Sequence, residues 1–249
     1  MADTAHNQTG RLLQQVEREI ISFYRAGWQA VFDELNIANL YREVESENRK
    51  AVKKEIDIIV AILIAHAIFV AERSIARVQR MSDMVYKLNY SGMAKPLNIP
   101  QSTEDSADGT KYQKRAYDRL TDKTELEKLF KPEIYKYIRR GLTPDGLEQR
   151  AKTLFMRNGN SLVRISRTEA TRLENRARLD AMIDAQRKGM NVRKVWNAVL
   201  DKATRDSHRI INGEVRELDE KFSNGLLYPG DSNGSPEETV NCRCWLTAK

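Results

Sequence analysis

Cysteine is almost absent from this chain of 249 residues: Cys242 and Cys244 are the only two, one residue apart, so no disulfide framework can hold the fold. Glycine (12), proline (6) and aromatic residues (7%) are also sparse. This balance disfavours a sheet-rich or low-complexity architecture and favours helix. There are only 3 histidines, and no helix-borne His-Glu-x-x-His, glycine-rich phosphate cradle or Gly-x-Ser-x-Gly elbow occurs. The longest apolar run, Ile58 to Ala71, is broken by His66 and bounded by Asp57 and Glu72. It falls short of the roughly 20 residues that span a bilayer, and a helix buried among other helices or in an oligomer is preferred, with membrane contact not expected. No signal-peptide pattern precedes the first charged helix, so a reducing cytoplasm is the expected place of synthesis.

What is abundant is charge, at 31% of residues, with hydrophobic residues at 41%. That excludes general disorder and a multi-span membrane protein. The net charge of +7 is unevenly placed. Residues 1–124 hold 18 basic and 17 acidic side chains, whereas residues 125–249 hold 24 and 18. A basic C-terminal half is compatible with a polyanionic partner such as nucleic acid.

Apolar residues from Leu12 through Val16, Ile20, Phe23, Val31, Leu35 and Leu40 to Val44 recur at helical spacing, with Gly27 expected to break or kink the helix. A second helical segment runs from Lys50 to about Met84. Residues 91–110 collect prolines, glycines and small polar residues and read as a linker. Helices are then expected near Tyr112 to Leu129, over Pro132 to Arg140, and over 145–157, the last capped by Thr143 with Pro144 in its first turn. Asn158-Gly159-Asn160 is expected to end that helix, and Ser161 to start another that Gly189 closes. Strands are expected around Val192 to Leu200, Gly213 to Leu218 and Arg243 to Leu246. The fold class is α+β, mainly helical: a helical region over 1–90, a linker over 91–118, and a C-terminal domain of helices with a small sheet over 119–249.

Two thiols one residue apart can grip one soft ion if the chain turns around them. His208 is the obvious third ligand, with Asp206, Asp201 or Asp231 as a fourth, which makes a structural zinc the cofactor to consider. The competing reading is two small buried side chains, reduced and inert. An enzymatic variant would be a metal-dependent hydrolase or nuclease on His208, Cys242 and Cys244, with Glu214 as base. Arg164, Arg167, Arg172, Arg176 and Arg178 stud one helix with few acids between them and are the candidate phosphate contacts.

Several motifs follow one another in a fixed order over residues 163–244. They are Arg164-Ile165-Ser166-Arg167-Thr168-Glu169-Ala170, then Arg172, Asn175 and Ala177-Arg178, Gly189, Trp196, and Asp201 with Thr204-Arg205 and His208. Asn212-Gly213, Phe222, Tyr228-Pro229-Gly230-Asp231 and Asn241-Cys242-Arg243-Cys244 complete the series. The ordered set resembles the C-terminal domain of tailed-phage minor head proteins, the Mu F-like head morphogenesis family. Lys202-Ala203, between Asp201 and Thr204, departs from the family's pattern. The resemblance implies a low-copy component of the virion interior that associates with the portal protein and other head proteins. Such a component supports procapsid assembly and the packaging or delivery of double-stranded DNA, and has no catalytic activity.

Overall fold

The structure, a computed structural model, describes residues 4–93 and 117–249. Most of the expected linker, and the start of the helix expected from Tyr112, lie outside the described residues. Among the described residues, five helices of nine residues or more come first: α1 (Thr4–Glu34), α2 (Ile37–Glu45), α3 (Arg49–Met93), α4 (Lys123–Arg139) and α5 (Pro144–Arg187). They are followed by β1 (Lys194–Asn197), the short α6 (Asp206–Ile210), β2 (Val215–Arg216), α7 (Pro236–Thr239) and β3 (Trp245–Ala248). The fold is mainly helical α+β, with one small antiparallel sheet in the order β2-β1-β3.

The chain forms two compact units, neither of them continuous in sequence. Among the described residues, one takes 18–76 and 117–163; the other takes 4–17, 77–93 and 164–249. Helices α1, α3 and α5 each contribute residues to both.

The first of these, here the helical unit, is held by apolar packing around Tyr24, Trp28, Leu63, Phe130 and Phe155. The Phe155 ring lies 5.5 Å from Tyr24 and 6.0 Å from Trp28, both tilted, as aromatic quadrupoles prefer. Two glycines expected to interrupt helices do not. Helix α1 runs through Gly27 and ends at Glu34; Asn36, whose side chain accepts from the Asn39 amide, then starts α2. Gly27 is required by close approach: a Cβ there would sit 2.5 Å from Val70 Cγ2. Helix α5 likewise runs through Gly159, where a Cβ would sit 2.7 Å from the Tyr24 ring. The Tyr24 hydroxyl donates to Asn158 Oδ1 at 2.8 Å, so this Asn-Gly pair receives a neighbouring helix. Pro132 lies inside α4, joining the two short helices expected there into one. Thr143 does cap α5, its hydroxyl accepting from the Gly146 amide.

The inner face of α3 buries Ile56, Ile59, Val60, Leu63 and Ala67. This helix is long and apolar enough to cross a membrane, but 44% of its most apolar window is packed inside the protein. His66 Nε2 meets Glu34 Oε1 at 2.9 Å, an ordinary polar contact.

The second unit, here the sheet unit, carries the small sheet, with Trp196 opposite Leu246 in register. Its core gathers Leu179, Met182, Trp196, Leu218, Phe222, Leu226, Tyr228, Cys242, Cys244 and Leu246. Helix α5 closes at Arg187, and Gly189 follows with φ +88°, the left-handed conformation that glycine adopts without penalty.

Candidate functional site

The two thiols and one imidazole converge. Short helix α6 presents His208, and the turn before β3 presents Cys242 and Cys244, with Asn241 at φ 56° reversing the chain into them. All three side chains are buried, and their ligand atoms lie within 4.8 Å of one another. His208 Nδ1 is 3.6 Å from Cys242 Sγ and 3.4 Å from Cys244 Sγ. On the far side of the ring, His208 Nε2 meets Glu238 Oε2 at 2.8 Å, and the same carboxylate accepts from Ser207 Oγ. A carboxylate only accepts, so Nε2 carries hydrogen, while Nδ1 faces the two sulfurs.

The electrostatics favour a thiolate. A hydrogen bond from Cys244 holds the Cys242 thiol down at about 5, despite burial, and the His208 imidazole adds to this. The Cys244 thiol is driven up by that shared hydrogen bond and by burial, so the pair gives up one proton easily and the second reluctantly. Burial by itself would lower His208, but hydrogen bonding to Cys242 and the Glu238 charge outweigh it and raise the imidazole. The Cys244 amide also approaches Cys242 Sγ at 3.5 Å.

The expected fourth ligands are placed elsewhere. Asp206 is a correction: its side chain is 96% exposed and its nearest charge is Arg209 at 3.8 Å, because the first turn of α6 turns it to solvent. Asp201 forms a paired-oxygen contact with Arg243, both bonds 2.6 Å, which holds its carboxyl down at about 2. Asp231 organises its own loop, accepting from the Leu227 and Asn233 amides. Glu214, the base of the enzymatic variant, is taken up by Arg216 and Ser223. Sequence reasoning missed Glu238; its position in the first turn after Ser235-Pro236 marks a helix start but not a histidine partner.

The arginine row divides. Arg164 and Arg167 are exposed, Arg167 paired with Glu17 at 2.6 Å, and Arg176 is half-buried against Asp180. Arg172 and Arg178 are buried and are withdrawn as phosphate contacts. Arg172 pairs with Glu169 at 2.8 Å and Arg178 with Glu174 at 3.2 Å, because an isolated charge in that interior would be prohibitive.

These buried polar residues of α5 hold the cysteine segment in place. Thr168 Oγ1 accepts from the Asn241 amide, and Thr171 Oγ1 donates to the Cys242 carbonyl at 2.5 Å. Asn175 donates to the Cys244 carbonyl and accepts from the Leu246 amide, while Arg178 Nη1 donates to the Leu246 carbonyl at 2.8 Å. Positions 168, 171, 175 and 178 fall on one helical face, so a single stripe satisfies the backbone of residues 241–246 and fixes both sulfurs. The Gly230 turn packs on the same helix: at φ +79°, a Cβ there would lie 3.0 Å from Arg172 Cα.

A long helix whose buried polar stripe grips a Cys-x-Cys segment beside a three-stranded sheet defines the class of domain. Residues 128–247 match the family described as phage Mu protein F like protein. The chain is 32% identical over 108 residues to minor head protein GP7 of Bacillus phage SPP1, covering 41% of this chain and 35% of that protein. It is also 37% identical over 84 residues to an NAD(+)–arginine ADP-ribosyltransferase of Enterococcus faecalis, covering 33% of this chain and 17% of that protein. The chain thus spans about a third or less of the length of these relatives. No solved structure matches it.

Proposed function

We propose that this protein is a minor component of a tailed-phage head, located in the virion interior. In this reading it associates with the portal and other head proteins during assembly and supports packaging or delivery of the genome. The observation that carries the reading is the Mu F-like match over residues 128–247, together with a relative named as a minor head protein. The structure is compatible with a scaffold role: the polar stripe of α5 is spent on holding the chain's own backbone. Contact with double-stranded DNA rests on the basic excess of residues 125–249 and on the exposed Arg164 and Arg167 with the half-buried Arg176.

The alternative, a metal-dependent hydrolase or nuclease at His208, Cys242 and Cys244, is disfavoured by the confined space there. The recess beside the three ligands measures about 10 Å³, enough for at most one water and far too small for a phosphodiester. The activity in the name of the enterococcal relative is not carried over, since the shared segment is 17% of that protein.

Co-purification with the portal protein from infected or co-expressing cells tests the head assignment; failure to associate with any head component would sink it. For DNA, log affinity should fall linearly with log salt, with a slope of about −0.9 per neutralised phosphate. Arg164→Ala with Arg167→Ala should flatten that slope, and binding that ignores salt would remove the DNA part.

A further inference from the structure

The structure holds one buried cluster that the head-component reading leaves unexplained. Cys242 Sγ and Cys244 Sγ both point at a single atom, His208 Nδ1, whose ring is already held from behind by Glu238. Three buried atoms that can each ligate a soft cation thus lie within 4.8 Å of one another. A cation between the three atoms satisfies all of them.

We infer that His208 Nδ1, Cys242 Sγ and Cys244 Sγ bind one zinc ion, with Glu238 as the residue that orients His208. The spacing fits a tetrahedral site. With Zn–S about 2.3 Å and Zn–N about 2.0–2.1 Å, a tetrahedral N–Zn–S angle sets nitrogen and sulfur about 3.6 Å apart. The two observed separations are 3.4 and 3.6 Å. Mixed imidazole and thiolate ligands select zinc over the hard cations calcium and magnesium. Two thiolates and Zn²⁺ make a neutral unit, which is the form that a buried site among Trp196, Leu246 and Ala198 tolerates.

The surroundings are those of a metal centre. The carboxylate behind the histidine fixes its tautomer and raises its basicity, as ligand-orienting carboxylates do at zinc sites. The Cys244 amide faces Cys242 Sγ at 3.5 Å, a contact suited to an anionic sulfur. The fourth position opens on the recess of about 10 Å³ bordered by Val199, Ala203, Thr204 and Arg205, so one water is the ligand that fits there. Bound zinc ties α6 to the segment entering β3, two stretches more than thirty residues apart in a unit that contains no disulfide among its described residues. The inference is independent of the head-protein reading.

The test is metal analysis of the full chain, purified under reducing conditions, stripped with chelator and reloaded with excess Zn²⁺. About one zinc per chain retained through gel filtration is expected. His208→Ala, Cys242→Ser and Cys244→Ser should each abolish retention, whereas Asp206→Ala should leave it intact. Glu238→Gln should keep the stoichiometry in excess metal but weaken affinity about 10- to 100-fold in chelator competition. Should the ligand variants fail to fold by circular dichroism, Co²⁺ loading of the wild type decides, since tetrahedral cobalt with two thiolates gives sulfur-to-cobalt absorption. Reduced, folded wild type that retains no zinc, or that binds cobalt without that absorption, overturns the inference. So does zinc retention by folded forms of all three ligand variants.

Discussion

Helix α5 lives two lives along its length. Its first half, in the helical unit, packs as amphipathic helices usually do, with Leu147, Ala151, Leu154, Phe155 and Leu162 buried and its glycine admitting the Tyr24 ring. Its second half, in the sheet unit, is buried on nearly every side from Thr168 to Leu179, yet eight of those twelve residues are polar or charged. The first half is held by apolar area, whose contribution is non-directional, about 25 cal/mol per Å². The second half is held by directed bonds from Thr168, Thr171, Asn175 and Arg178 to the backbone of 241–246. Apolar packing tolerates conservative change, whereas a buried polar network fails when one member is left unsatisfied.

That contrast can be broken experimentally, and the tryptophans separate the halves: Trp28 reports the helical unit, Trp196 and Trp245 the sheet unit. The largest effect is expected for Arg178→Met. It removes the donor to Asn89 Oδ1 and the Leu246 carbonyl, leaves Glu174 with His6 in place of its guanidinium partner, and should cost about 3–5 kcal/mol in urea unfolding followed through Trp196. A cost within that of an ordinary surface change, about 0.5 kcal/mol, would show the network to be dispensable.

In the helical unit Gly159→Ala should cost about 1–3 kcal/mol through overpacking against Tyr24, read from Trp28 fluorescence; an unchanged midpoint would mean that the ring has room to move.

Lys194 gives a smaller, pH-dependent effect. It is fully buried, its ammonium donates to the Leu218 carbonyl at 2.9 Å, and burial lowers it to about 8 even though Asp219, Asp231 and Glu220 pull the other way. The unfolded lysine titrates near 10.4, so between about pH 8 and 10 the unfolded chain binds more protons and stability rises with pH. Below pH 8 both states are protonated and this slope vanishes. Lys194→Met should therefore flatten the pH dependence relative to wild type over pH 8–9.5; parallel curves for the two proteins would refute the buried-lysine account.

The smallest effect belongs to the exposed Asp201–Arg243 pair: Asp201→Asn should leave the melting temperature nearly unchanged despite two short bonds, because solvent and salt screen it.

Much of this was legible beforehand. Helical periodicity located the long helices, the Thr143-Pro144 start and the Gly189 stop were read correctly, and the three strands lie where β-branched and aromatic residues cluster. The cysteine pair and His208 were brought together on chemistry alone, and the structure places them together. The misreadings share a cause. Gly27 and Gly159 read locally as breaks because a sequence does not show the ring or methyl group that will press on them. Arg172 and Arg178 read as surface because charge usually is; the available signal was Glu169 and Glu174 at three- and four-residue spacing, which is how a buried arginine is neutralised.

By itself the sequence determined the mainly helical class, the helix boundaries with strong caps, the thiol–imidazole set and the family resemblance of the C-terminal half, all of which depend on residue type and short spacing. Only the tertiary structure decided which polar residues are interior, which acid stands behind His208, and which glycines serve close packing. Those outcomes depend on burial and on partners dozens of residues away, and burial reverses the sign of what a charge, or a missing side chain, does.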